Sequence, residues 1–266
     1  MLALLPPQYG NWAEAEKGYR AALARHPRYA PIEPALANVL ISVGRIREGL
    51  PFIARAQAAA PLDSFLNFQL AMTYWFANRL EDAQRTIEKA YALWPLDTPV
   101  FFGQVIILMG IGKARQALDM LEDETRWPRG IPAFDFDLLK LASKALITGD
   151  KADRAEAISK NMSAAARGLG YAKNASLFAG LLGDKDAALD AATALFLNRP
   201  FKIATAYFSQ QQGLYNALRS RPTEFLFSPP LKIVRAEKRF EDLLAEIGLD
   251  AYWRKTGTIP DYRRGL

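Results

Sequence analysis

The chain is ordered by a spacing of 34 residues, shared by Pro27, Pro61 and Pro95 and again by Gly10, Gly44, Asn78 and Gly112. Proline stops a helix because it lacks the N–H and crowds the preceding turn. Glycine, and after it asparagine, takes the left-handed conformation that closes a helix. Stop and turn residues alternating at this interval predict two helices per period, joined by a tight turn. Small residues keep the same step: Ala15, Gly49, Ala83 and Ala117 each follow the turn residue by five, and Ala22, Ala56 and Ala90 by twelve. Tyr19, Ile53, Ile87 and Leu121 lie between them. Small residues let neighbouring helices approach while the large one fills the gap.

Residues 64–97 show the unit most clearly. Phe65, Phe68, Met72 and Trp75 lie at three-four spacing on one helix face. After the turn at Asn78, Leu80, Ala83, Ile87 and Ala90 form a second stripe, with charged residues opposite and Glu81-Asp82 near the helix start, where the dipole favours acids. A two-helix unit on this period resembles the tetratricopeptide repeat. The resemblance covers residues 10–127 and departs from the pattern in three places. Asn67 or Phe101 stands where a tryptophan is usual, Gly49 replaces alanine, and Glu124 replaces a small residue. The resemblance implies an all-α fold, a right-handed superhelical array of antiparallel helix hairpins.

Units are expected near 1–29, 30–63, 64–97, 98–130, 131–166 and 168–199, with 200–266 as a C-terminal helical capping segment. Residues 1–9 are too few for a full first helix before the Gly10 turn, so more protein is expected upstream of Met1. The register slips once: Gly149 lies 37 residues past Gly112, and Gly183 then returns to the interval of 34. Beyond Pro200 a helix over 201–220 and an amphipathic one over 232–247 are expected, the latter capped by Gly248. Phe240, Gly248-Leu249, Tyr252-Trp253, Gly257 and Pro260-Asp261 resemble the close of tetratricopeptide regions downstream of winged-helix transcription regulators and class III adenylate cyclases. That likeness implies the regulatory arm of a signalling protein.

Composition narrows the chemistry. With no cysteine and His26 as the single histidine, neither thiol chemistry nor a His/Cys metal site can be assembled, and no cofactor is implied. The net charge of +6 is interspersed rather than gathered on one helix face, which argues against direct nucleic-acid binding. The apolar run 100–111 is shorter than the ~20 residues of a membrane span. A cytoplasmic protein is expected. Gly110-Ile111-Gly112-Lys113 lacks the further glycine and hydroxyl of a phosphate loop. Asp150 and Asp184, each following a turn glycine, read as helix N-caps rather than catalytic acids. Phe134-Asp135-Phe136-Asp137 reads as one more helix start, its carboxylates in solvent.

What remains is the inner face. In stacked hairpins of this kind the first helix of each unit lines a trough, which gives the candidate binding residues Asn38, Ile41, Phe65, Phe68, Met72, Trp75, Phe102, Ile106 and Met109. So large an apolar surface needs a cover. The chain's own tail, a partner's helix or peptide (or a second copy of the chain, as a homodimer), and a small apolar ligand are all open. The leading function is a non-catalytic protein-interaction or regulatory module, the scaffold or sensory arm of a larger signalling protein. The alternative is an apolar-ligand sensor controlling an upstream regulator or cyclase domain, and a hydrolase ranks third because no nucleophile or acid–base pair is offered.

Overall fold

The computed structural model describes residues 11–27, 31–204 and 223–264. The expected Gly10 turn and most of the helix expected over 201–220 lie outside them. Among the described residues every regular element is a helix or a 3-10 turn. Thirteen α-helices follow in order: α1 Trp12–Arg25, α2 Ile32–Ser42, α3 Ile46–Ala59, α4 Ser64–Phe76, α5 Leu80–Leu93, α6 Thr98–Gly110, α7 Ala114–Glu122, α8 Ala133–Thr148, α9 Lys151–Ala165, α10 Leu169–Leu182, α11 Lys185–Leu197, α12 Lys238–Glu246 and α13 Leu249–Thr256.

Each helix packs on the next in the chain from α1 to α11, and the first helices of neighbouring hairpins also meet, α4 with α6 and α8 with α10. This is an all-α superhelix of stacked hairpins. The turn within each hairpin is left-handed at the expected residue: φ is 76° at Gly44, 57° at Asn78, 80° at Gly112, 65° at Gly149 and 87° at Gly183. Acids cap α4, α6, α9 and α11. Asp63 accepts from the Leu66 amide at 2.9 Å, Asp97 from Val100 at 3.1 Å, Asp150 from Ala152 at 2.7 Å and Asp184 from Ala187 at 2.9 Å. Each satisfies a donor that the first turn of a helix leaves unpaired.

The register slip falls between α7 and α8. α7 has nine residues where α5 has fourteen, and a 3-10 turn at Glu124–Arg126 takes up the slack. Trp127 then stacks on Phe136 with centroids 3.9 Å apart, while its indole N–H donates to the Leu121 carbonyl at 3.0 Å. The longer connection is thereby pinned to the stack it interrupts.

The tail differs from expectation at its start. The helix expected from residue 232 begins at Lys238; before it run two 3-10 turns, Glu224–Phe227 and Pro229–Val234. The cause is local. Pro229 and Pro230 supply no amide donors, and Arg235 donates to the carbonyls of Phe227 and Ser228 at 2.6 and 3.0 Å, holding this stretch in a tight coil. Gly248 ends α12 with φ 89°, as expected of a cap.

Candidate interaction surface

The trough residues divide by what the next hairpin does to them. Phe68 and Trp75 reach into places left by glycines 35 residues further on. A Cβ added to Gly103 would lie 2.8 Å from the Phe68 ring, and one added to Gly110 would lie 2.8 Å from Trp75 Nε1. Glycine inside a helix costs stability relative to alanine, and close approach of a neighbour is what offsets it. The same logic seats Ile41 against Gly49, whose added Cβ would lie 2.9 Å from Ile41 Cγ1.

Three expected trough residues are therefore corrected. Ile41, Trp75 and Met109 are 6%, 0% and 2% exposed, enclosed by the chain's own core rather than offered to a partner. Helical period places a residue on a face but does not say that the next hairpin will cover it. Asn38 is half-buried and accepts from Gln69 Nε2 at 3.1 Å, a hydrogen bond between neighbouring units. Phe102 is half-buried, stacked on Phe136 at 5.7 Å and edge-on to Phe101 at 5.5 Å. Phe68, Met72 and Ile106 are half-buried too. Phe65 alone of the nine is exposed, with its ring 6.0 Å from Phe68. The connections before α4 and α6 carry exposed Leu62 and Leu96, exposed Leu93 ends α5, and Ser64 donates to Asp97 at 2.8 Å, holding the two connections together.

Asp135 also departs from expectation. It is half-buried and accepts from the Tyr171 hydroxyl at 2.5 Å, joining the starts of α8 and α10. Burial pushes its carboxyl above the ordinary range, and the Tyr171 hydrogen bond and the Arg167 charge work against that rise. The guanidinium of Arg167 lies over Phe134, 4.2 Å from the ring centroid.

At the end of the trough nearer the hairpin turns, the chain's own tail lies against the array. Counting one interval of 34, one of 37 and one of 34 from Trp75, through Met109 and Leu146, reaches Gly180. No large side chain fills that place in the last hairpin. The Pro230 carbonyl does: a Cβ on Gly180 would lie 2.6 Å from its oxygen and 3.1 Å from Leu231 Cδ2. Phe225 stacks on Phe196 at 6.0 Å. Phe227 and Pro229 meet Phe76 and Asn78 around a small recess, and the Phe227 ring also presses on Gly44.

The tail then grips the α2–α3 turn by its backbone. Thr223 Oγ1 donates to the Ser42 carbonyl at 2.5 Å, the Trp253 indole to the Val43 carbonyl at 2.8 Å, and the Asp261 amide to the Gly44 carbonyl at 2.8 Å. α3 has no side-chain cap of its own at Arg45; instead the Asp261 carboxylate accepts from the Arg47 amide at 2.8 Å. Nearby, Tyr252 donates to Glu16 at 2.6 Å and accepts from Arg45 at 2.6 Å, and Arg45 also pairs with Glu16 at 2.8 Å. Burial opposes ionisation of Glu16, but the hydrogen bonds from Tyr252 and Arg20 and the charges of Arg45 and Arg20 outweigh it and hold the carboxyl below the ordinary range. Burial and the hydrogen bond to Glu16 push the Tyr252 phenol up to about 12.

Residues Phe240, Leu243, Leu244, Ile247, Tyr252 and Trp253 of the tail are all buried within the same chain. The chain's own tail was one of the covers that the sequence left open; the α2–α3 turn as its socket was not located there. Among the described residues no group of three or more His, Cys, Asp or Glu is placed to hold a metal, and no helix is long and apolar enough to cross a membrane.

The chain is an all-α array of stacked helix hairpins. No protein-family model and no curated protein matches it. Among solved structures it is similar, over 91% of its length, to a chain in the crystal structure of the APC/C hetero-tetramer Cut9-Hcn1, at 15% identity and a TM-score of 0.34. The similarity spans 54% of that longer chain.

Proposed function

We propose that this chain is a non-catalytic protein-interaction module, the scaffold or sensory arm of a larger signalling protein. Its partner is an apolar helix or peptide seated at the end of the trough away from the hairpin turns. The observation that carries the reading is Phe65, 52% exposed at the mouth of a run that continues through Phe68 and Met72 on α4 and Phe102 and Ile106 on α6, flanked by exposed Leu62 and Leu96. Aromatic side chains beside a partly desolvated groove are the usual anchors of helix-in-groove recognition. The cleft between α11 and α12, about 310 Å³, is lined by Leu197, Pro200 and Leu243 together with the charged groups of Asp190, Arg199, Arg239, Asp242 and Glu246.

Phe65→Ala tests the reading, because this side chain supports little of the core. A panel of fluorescent amphipathic helical peptides supplies the probe. A peptide that binds the natural chain is expected to lose about tenfold or more in affinity against the variant, the scale of a hot-spot side chain, while the melting temperature stays put. Equal affinity for the two proteins refutes the assignment of this surface.

A further inference from the structure

We propose that the tail 223–264 is a releasable strap that ties the first hairpins to the last across the trough and so sets how far the array is open. Its two ends are anchored differently. At α10 and α11 it is held by apolar contacts, Pro230 and Leu231 on Gly180 and Phe225 on Phe196, with ion pairs Arg239–Asp186 at 3.0 Å and Lys185–Glu237 at 2.6 Å. At α1–α3 it is held by the backbone clasp of Trp253 and Asp261, the Glu16–Arg45–Tyr252 network and the Lys255–Glu14 pair at 2.9 Å.

Two features make the strap a separate cooperative unit. α12 has nine residues and α13 eight, fewer than the ~12 an isolated helix needs to persist in water, so their order comes from docking. The ties to α1–α3 all fall on one small region, where the hydrogen bonds and ion pairs are joined by the buried rings of Tyr252 and Trp253, and a docked unit of that size opens below the free energy of global unfolding. Opening the clasp frees α13 and the Pro260-Asp261 end first and leaves Pro230 on Gly180 as the pivot. The trough's turn end is then partly uncovered, and of the tail's ties to α1–α3 there remain the Thr223–Ser42 bond and the Phe227 ring on Gly44. This holds whether or not Phe65 belongs to a partner site.

Native-state hydrogen exchange on the natural chain is the first test. Amides of 249–261 are expected to exchange as one group, about tenfold or more faster than those of α4 and α6. Exchange of both at one common rate overturns the proposal. The second test uses the absence of cysteine. Spin labels at Ala58→Cys and Lys160→Cys, both exposed, report the separation of α3 from α9. Adding Trp253→Phe with Asp261→Ala is expected to broaden and lengthen that distance distribution while far-UV circular dichroism changes little. An unchanged distribution in the folded variant overturns the proposal, and if the variant does not fold, the exchange experiment decides.

Discussion

Gly180→Ala separates a strapped array from an unstrapped one by the sign of its effect on stability. Gly180 lies inside α10, where alanine is worth about 0.8–1.0 kcal/mol more than glycine on helix propensity. Against that gain, the new Cβ would stand 2.6 Å from the Pro230 oxygen and 3.0 Å from its carbonyl carbon. Ordinary contact begins near 3.4 Å, so the tail backbone must retreat by about 0.8 Å. A backbone carbonyl cannot swing aside as a flexible side chain can, and overpacking of this kind costs about 1–3 kcal/mol. The net expectation is a loss of about 0–2 kcal/mol when the strap is seated. Asp261→Ala loosens the other end of the tail and leaves Pro230 seated, so the two substitutions are expected to add within about 0.5 kcal/mol. Urea unfolding followed by far-UV circular dichroism and by tryptophan fluorescence measures all four proteins of the cycle. If Gly180→Ala alone stabilises by about 1 kcal/mol, as at an open helix site, the seating of Pro230 on α10 is wrong.

Other outcomes follow from the same contacts. Trp75→Ala should cost about 3–5 kcal/mol in urea unfolding, the range for emptying a buried large aromatic site, and the indole nitrogen has no hydrogen-bond partner among the described residues. A change within 0.5 kcal/mol would return Trp75 to the surface. Asp261→Ala should cost about 0.5–2 kcal/mol, the worth of a helix cap, although the residue lies far from α3 in sequence. The pH dependence has two edges. Glu16 is depressed in the fold, so its contribution is present above its ordinary value of 4.5 and lost as pH falls below it. Tyr252 is raised, so its contribution is full below 10.0 and lost as pH climbs toward about 12. Near-UV circular dichroism should report tail release at both edges and a flat plateau between them.

The repeat was legible because its marks are local. Left-handed turns at Gly44, Asn78, Gly112, Gly149 and Gly183 and caps at Asp150 and Asp184 follow from single residues and their neighbours in sequence. Burial of the inner stripe was harder, since it depends on which hairpin comes next. Gly103 and Gly110 held the missing signal: glycines within a helix mark where another group comes close, and they receive Phe68 and Trp75. Trp127 on Phe136 has no periodic precursor and belongs to the one irregular connection. The socket of the tail was not legible at all, because Trp253 meets Val43 and Asp261 meets Arg47 across more than 200 residues of chain.

That socket consists of the carbonyls of Ser42, Val43 and Gly44 and the amide of Arg47. Main-chain atoms are the same whatever amino acids carry them, and only the glycine is dictated by geometry. Substitution can therefore erase every side chain around the turn and leave its grip on the tail intact. Homologues that keep the clasp need share almost no letters where it closes, and the Trp253 and Pro260-Asp261 end would be the part of it that sequence comparison could still find.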